Sequence, residues 1–172
     1  AAGVDRFAAW VHESDRPMQT DLERRRYRLD TTTRAMGIAL ADARLERPRI
    51  DFAPPSWHEH LRVNELPPDF LALADPAAYR IAIARLDGES VATAIAFELD
   101  GDCGIYNVGT LEHARRRGLG TGLTSALLLD ALERGCTTAS LQATPMAERL
   151  YAALGFRDLG RLLEYVPAVD AR

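Results

Sequence analysis

The chain has 172 residues, 47% of them hydrophobic and 27% charged, with a formal net charge of −4. That length and mixture are those of an ordinary globular protein with one folded domain and its own core, and two cysteines exclude a disulfide framework. A negative balance also argues against nucleic acid or an anionic membrane surface as partners, so any bound anion must be held by a local arrangement.

In chain order, Met18 to Arg26 predicts a helix and Tyr27 to Met36 a strand. Arg49 to Phe52 predicts a short strand broken by Pro54 and Pro55, after which Ser56 supplies an N-cap for a helix running toward Leu66. Pro67 and Pro68 end that helix, and Asp69 begins another short one. Tyr79 to Leu86, Val91 to Leu99 and Cys103 to Thr110 read as three successive antiparallel strands, separated by turns at Asp87-Gly88 and Asp100-Gly101-Asp102. From Gly120 to Arg134, apolar Leu123, Ala126, Leu127 and Ala131 recur at helical spacing, with Leu119 leading in and Gly135 as the stop. Thr137 to Ala143 predicts a strand, Met146 to Leu154 a helix closed by Gly155, and Phe156 onward a strand again. This order means a mixed α/β fold. The segment from Leu22 to Asp30 also echoes the one from Leu150 to Asp158, a helix entering a strand through an aromatic. That echo reads as a trace of a duplicated unit.

Several classes drop out on residue counts. All 21 basic residues are arginine, which removes a lysine base or Schiff base and a phosphate loop of the Gly-Lys-Ser/Thr kind. Cys103 and Cys136 are too few for a zinc cluster and are expected as buried free thiols. His58 and His60 lie two apart, so on a helix they face different ways and are expected to be solvated rather than to hold a metal. No apolar run spans a bilayer and no signal-peptide core precedes the domain, so a cytoplasmic location is expected.

The richest stretch is Arg115 to Gly122, Arg-Arg-Arg-Gly-Leu-Gly-Thr-Gly, between a strand and the long helix. Gly118, Gly120 and Gly122 let backbone amides approach a ligand, and the first helical turn leaves N–H groups unpaired at the positive end of the helix dipole. Three arginines add donors suited to phosphate oxygens. By itself the stretch is either an anion seat or a glycine-rich turn with a solvated basic edge.

The run from Asn107 to Leu123, followed by Leu150 to Phe156, resembles the GNAT superfamily of acyl-CoA-dependent N-acyltransferases, of bacterial type. The family's pyrophosphate motif falls on Arg115, Gly118 and Gly120, and its tyrosine-to-Gly-Phe signature on Tyr151, Gly155 and Phe156. The resemblance implies a mixed, mostly antiparallel central sheet flanked by helices and splayed between the fourth and fifth core strands. It implies residues 47–172 as the acyltransferase domain and leaves 1–46 as an N-terminal extension, which the echo noted above makes a candidate remnant of a duplicated unit. Acetyl-CoA is the implied cosubstrate, with no metal. Its arm would lie on Val108, Gly109 and Thr110, and its pyrophosphate on Arg115, Arg116, Arg117, Gly118, Leu119, Gly120, Thr121 and Gly122. Tyr151 matches the family's general acid, a phenol that protonates the departing thiolate.

Two departures stand out. Thr144 takes the place of the family's asparagine beside the CoA arm, and Thr121 replaces a residue that is usually basic. No base is singled out: Glu98, Glu112, His113, Tyr106 or a water chain could take the amine proton. An acceptor amine is implied near Trp57, His58, Leu61 and the loop around Pro67, where Glu59 or Asp69 could attract a cation. Neither nucleic acid nor membrane is an expected partner. A homodimer through an edge strand at Arg161 to Val166 is an open option. The rival readings are a non-catalytic acyl-CoA-binding module and an unrelated phosphate-binding α/β protein.

Overall fold

Two tight turns seed the architecture. In the computed structural model, which describes residues 7–70 and 75–168, Asp87 and Gly88 have φ of 51° and 84°, and Asp100 and Gly101 have φ of 50° and 82°. Paired positive φ values are what two-residue hairpin turns demand, and Asp-Gly tolerates them with little strain. In chain order the elements are β1 (Ala9–His12), α1 (Arg16–Arg24), β2 (Tyr27–Ala39), β3 (Asp51–Phe52), α2 (Trp57–Val63), β4 (Tyr79–Leu86), β5 (Glu89–Leu99), β6 (Asp102–Thr110), α3 (Leu119–Glu133), β7 (Thr138–Ala143), α4 (Glu148–Leu154) and β8 (Arg157–Pro167).

The strands form one sheet in the order β1-β8-β2-β7-β6-β5-β4-β3. Only β6 and β7 run parallel, as they must, because α3 carries the chain back across one face between them. The α3 face holds the main core. Leu123, Leu127, Leu128 and Ala131 of α3 meet Ala94 and Ala96 of β5, Cys103 and Ile105 of β6, and Leu141 of β7, all buried. On the opposite face α2 packs against β4 and β5. Both cysteines are free and buried. Among the described residues, no helix is long and apolar enough to cross a membrane.

Three findings differ from the sequence expectations. The strand β1 carried no recognisable signal, since four residues are too short to show a period. His60 is not solvated: it is wholly buried and bonded through Nδ1 to Thr93 Oγ1 at 3.0 Å, while His58 faces water. The segment from Arg161 to Val166 is not an edge strand. β8 is flanked by β1 through pairs such as His12–Leu162 and by β2 through pairs such as Thr32–Leu163, so its backbone groups are already spent. The short helix expected from Asp69 falls largely on 71–74, outside the described residues; a single 3-10 turn follows at Pro76–Ala78.

Candidate functional site

The site begins with a defect in β6. Ile95 of β5 pairs with Tyr106 and Thr93 pairs with Gly109, so β6 carries one extra residue, and Asn107 takes φ of 47°. Such a bulge bends the strand and re-aims its edge. On the other side, pairing with β7 stops at Ile105–Leu141. The two strands therefore splay, and the β7-facing edge of β6 beyond Tyr106 keeps its backbone donors and acceptors unpaired within the sheet. Asn64, the C-cap of α2, fits against the bulge: a Cβ on Gly109 would stand 2.3 Å from its Oδ1.

The loop after β6 is shaped for a close approach. Arg115 donates from Nε to Thr110 O at 3.2 Å, fastening the loop to the strand end. Arg116 (φ 61°) and Gly118 (φ 74°) are both left-handed. For a non-glycine residue that conformation costs on the order of 1 kcal/mol, a kind of strain that gathers at ligand sites. The first intrahelical bond of α3 runs from Gly122 N to Gly118 O at 2.9 Å. Ahead of it, the amides of Leu119, Gly120 and Thr121 have no carbonyl one turn back and point out of the helix start. With no acidic residue in that turn, the helix dipole favours an anion there.

A cleft of about 560 Å³ joins these parts. Val108, Gly109 and Thr110 form one wall, Arg115, Arg116 and Gly118 through Thr121 the floor, and Thr144, Leu150 and Tyr151 the far side. Two expected residues lie outside it. Arg117 is exposed beyond the rim. Gly122 serves packing, because a Cβ there would meet Ile50 Cδ1 at 2.2 Å and Pro48 Cβ at 3.2 Å.

Tyr151 sits where this cleft meets a second cavity of about 360 Å³, lined by Trp10, Thr33, Tyr106 and Gln142 among others. It is only 5% exposed, and its ring meets Phe156 edge-on at 5.9 Å. Burial pushes its phenol up to about 12, so the group is a protonated donor at neutral pH. A tyrosine one helical turn into α4, held over the split in the sheet, can deliver a proton to an atom lying in that split.

Of the candidate bases, Tyr106 lines the second cavity with Tyr151; the other candidates are not brought here. Glu98 accepts from Arg134 Nε at 2.9 Å beside the C-terminal end of α3, about 20 Å from the glycine loop by the rise of a 15-residue helix. That guanidinium holds its carboxyl below the usual range. Glu112 is exposed in a 3-10 turn, and His113 faces Glu89 at 3.4 Å. Trp57 packs edge-on against His60 and Tyr79, and Glu59 is taken by Arg62 at 2.9 Å. Trp57, His58 and Leu61 line neither cavity at Tyr151. Trp10, Thr33 and Gln142 had no local signal, because they come from three strands whose adjacency is set by pairing across the whole chain. Among the described residues, no group of three His, Cys, Asp or Glu is placed to hold a metal ion.

The model of the acetyltransferase (GNAT) family matches residues 42–156. No curated protein matches the chain. Solved structures share its fold. A GCN5-related N-acetyltransferase from Kribbella flavida is 22% identical with a TM-score of 0.75, covering 94% of this chain and 68% of that one. Another, from Sphaerobacter thermophilus, is 21% identical with a TM-score of 0.68, covering 96% of this chain and 62% of that one. An acetyltransferase from Bacillus subtilis, solved in complex with CoA, is 14% identical with a TM-score of 0.55 and covers 70% of this chain and 98% of that one. The chain thus spans about two thirds of the length of the first two.

Proposed function

The chain belongs to the GNAT acetyltransferase family, and on that premise we propose that it transfers an acetyl group from acetyl-CoA directly to a primary amine. The observation that carries this reading is the position of Tyr151 at the junction of two cavities. One of them offers an unpaired strand edge and a helix start to a phosphate-bearing arm. The other offers room for an acceptor. In the proposed step the amine nitrogen attacks the thioester carbonyl carbon, the C–S bond breaks, and the Tyr151 hydroxyl protonates the leaving sulfur. The amine's own proton leaves through water: among the described residues neither cavity is lined by a carboxylate or a histidine, and burial raises the Tyr106 phenol, which keeps it a proton donor at neutral pH.

The test is to incubate the protein with acetyl-CoA and a panel of primary amines, following thiol release and the mass of the acetylated product. Absence of CoA binding by calorimetry overturns the reading. The lack of a lining base gives a second reading its one support, a module that binds acyl-CoA without turnover. CoA binding with no transfer to any amine selects it.

We also propose that 1–46 is the remnant of a duplicated unit. In support, α1 passes through left-handed Arg26 (φ 62°) into β2, as α4 passes through left-handed Gly155 (φ 103°) into β8, and the two strands lie side by side. Superposition of the two helix–strand units in a crystal structure tests it, and unrelated helix-to-strand crossing angles reject it.

A further inference from the structure

The acceptor side of the site is aromatic, and among the described residues no Asp or Glu lines it. Resting on the reading above, we propose that the acceptor is a small amine with one positive charge and an aromatic or apolar body, rather than a polyamine or a lysine-rich peptide.

The cavity beside Tyr151 continues into a third one of about 280 Å³, lined by Phe70, Tyr79 and Phe97 and sharing Tyr106 and Asn107 with it. Cross-strand register places these rings in a row. Tyr79 pairs with Phe97, Phe97 with Gly104, and Ile95 with Tyr106, all on the face away from α3. Tyr79 and Phe97 stand 5.4 Å apart. Gly104 is needed for this floor, since a Cβ there would come within 2.5 Å of Tyr106 Oη. The Tyr106 ring therefore lies down along the sheet instead of standing up from it.

Trp10 (42% exposed), Phe70 (37%) and Tyr106 (47%) remain open to solvent around this space. Aromatic surface left exposed and gathered at one place marks a binding site. Among the described residues, no Asp or Glu lines either cavity. The nearest acid along β6, Asp102, is occupied by Thr138 and Ser140 hydroxyls at 2.7 and 2.6 Å.

The two kinds of acceptor ask for opposite linings. A polyamine brings several ammonium groups, each of which loses water on entry and needs a carboxylate in return. This lining supplies none. An arylalkylamine brings one ammonium, which ring faces hold by cation–π attraction, and a body whose burial against Phe70, Phe97 and Tyr106 is favourable. Asn107 and Gln142 supply neutral hydrogen-bonding groups at the junction.

The experiment compares 2-phenylethylamine and tyramine with spermidine and a lysine-rich peptide, by kcat/KM with acetyl-CoA and by calorimetric binding to the CoA-loaded protein. The arylalkylamines are expected to lead by about tenfold or more in either readout. Tyr106→Ala and, independently, Phe70→Ala on the exposed loop are expected to erase that lead with the KM for acetyl-CoA unchanged. Preference for spermidine or the peptide overturns the proposal. So does CoA binding with neither turnover nor binding of the arylalkylamines. Failure to bind CoA at all instead rejects the acyltransferase reading on which the proposal rests.

Discussion

Replacing Tyr151 with Phe removes one oxygen and leaves the packing. The ring is 5% exposed, meets Phe156 edge-on, and belongs to the main core with Leu119 and Leu154. Stability is therefore expected to change by less than about 1 kcal/mol. Transfer is a different matter. A positioned general acid contributes roughly 10²- to 10⁴-fold, so kcat should fall by that factor, equivalent to about 3–5 kcal/mol of barrier at 1.36 kcal/mol per decade. The KM for acetyl-CoA should hold, since the cleft's other walls are intact. Burial sets the pH behaviour. With the phenol pushed up to about 12, the acid stays protonated across the neutral and mildly alkaline range, and no alkaline fall in kcat should trace to this group below about pH 10. Thiol release followed with a chromogenic trap, for both proteins across that range, reads all three quantities. A Tyr151→Phe enzyme within about threefold of wild-type kcat would refute the general-acid role. So would a variant that loses CoA binding, because the residue would then be part of the cleft wall rather than the chemistry.

His60 should make the fold acid-sensitive. Burial lowers its imidazole to about 4 against 6.5 unfolded, so the unfolded chain binds the extra proton first. The associated stability is present above pH 6.5 and is lost as pH falls toward about 4, by at most about 3 kcal/mol. Urea midpoints at both ends of that window should differ more for wild type than for His60→Gln, and equal slopes would contradict the burial argument. Glu98→Gln should leave kcat unchanged and cost up to about 1 kcal/mol through Arg134; a large loss of kcat would return Glu98 to the catalytic base position. Gly122→Val should destabilise by about 1–3 kcal/mol through its clash with Ile50. Adding Ile50→Ala should recover most of that loss in thermal unfolding, and simple additivity of the two changes would show that Gly122 does not act through this contact.

Much of the fold was written locally. Asp87-Gly88 and Asp100-Gly101 specify turns through their tolerance of positive φ, which is a property of two adjacent residues. The hairpins β4–β5 and β5–β6 follow with short loops and little closure entropy. The apolar spacing of α3 and the stop at Gly155 are equally local, and so is the run of glycines that opens a helix with unpaired amides.

That the candidate residues would share one cleft was legible in part for the same reason. Arg115, Gly118, Gly120 and Tyr151 lie on the elements that the sequence marks most clearly, and the cleft wall at Val108 to Thr110 is continuous with them. The roles of Glu98, Gly122 and His60 were not legible. Glu98 is occupied by Arg134, 36 residues further along, Gly122 is filled by Ile50, and His60 is buried under Trp57 against Thr93. None of these partners is a neighbour in sequence.

Sequence alone thus determined the turns, the existence and order of the helices and the glycine-rich helix start, because hydrogen-bond geometry and backbone preference act over a few residues; α2, by contrast, stops at Val63, capped by Asn64 and left-handed Glu65, before Pro67 and Pro68 are reached. Tertiary structure alone decided that β2 enters between β7 and β8, that β1 covers the last strand, and that Trp10, Thr33 and Gln142 reach the space beside Tyr151. Those outcomes depend on which sheet edges remain unpaired after the local hairpins have formed. A strand's own residues specify that it needs a partner, and not which one.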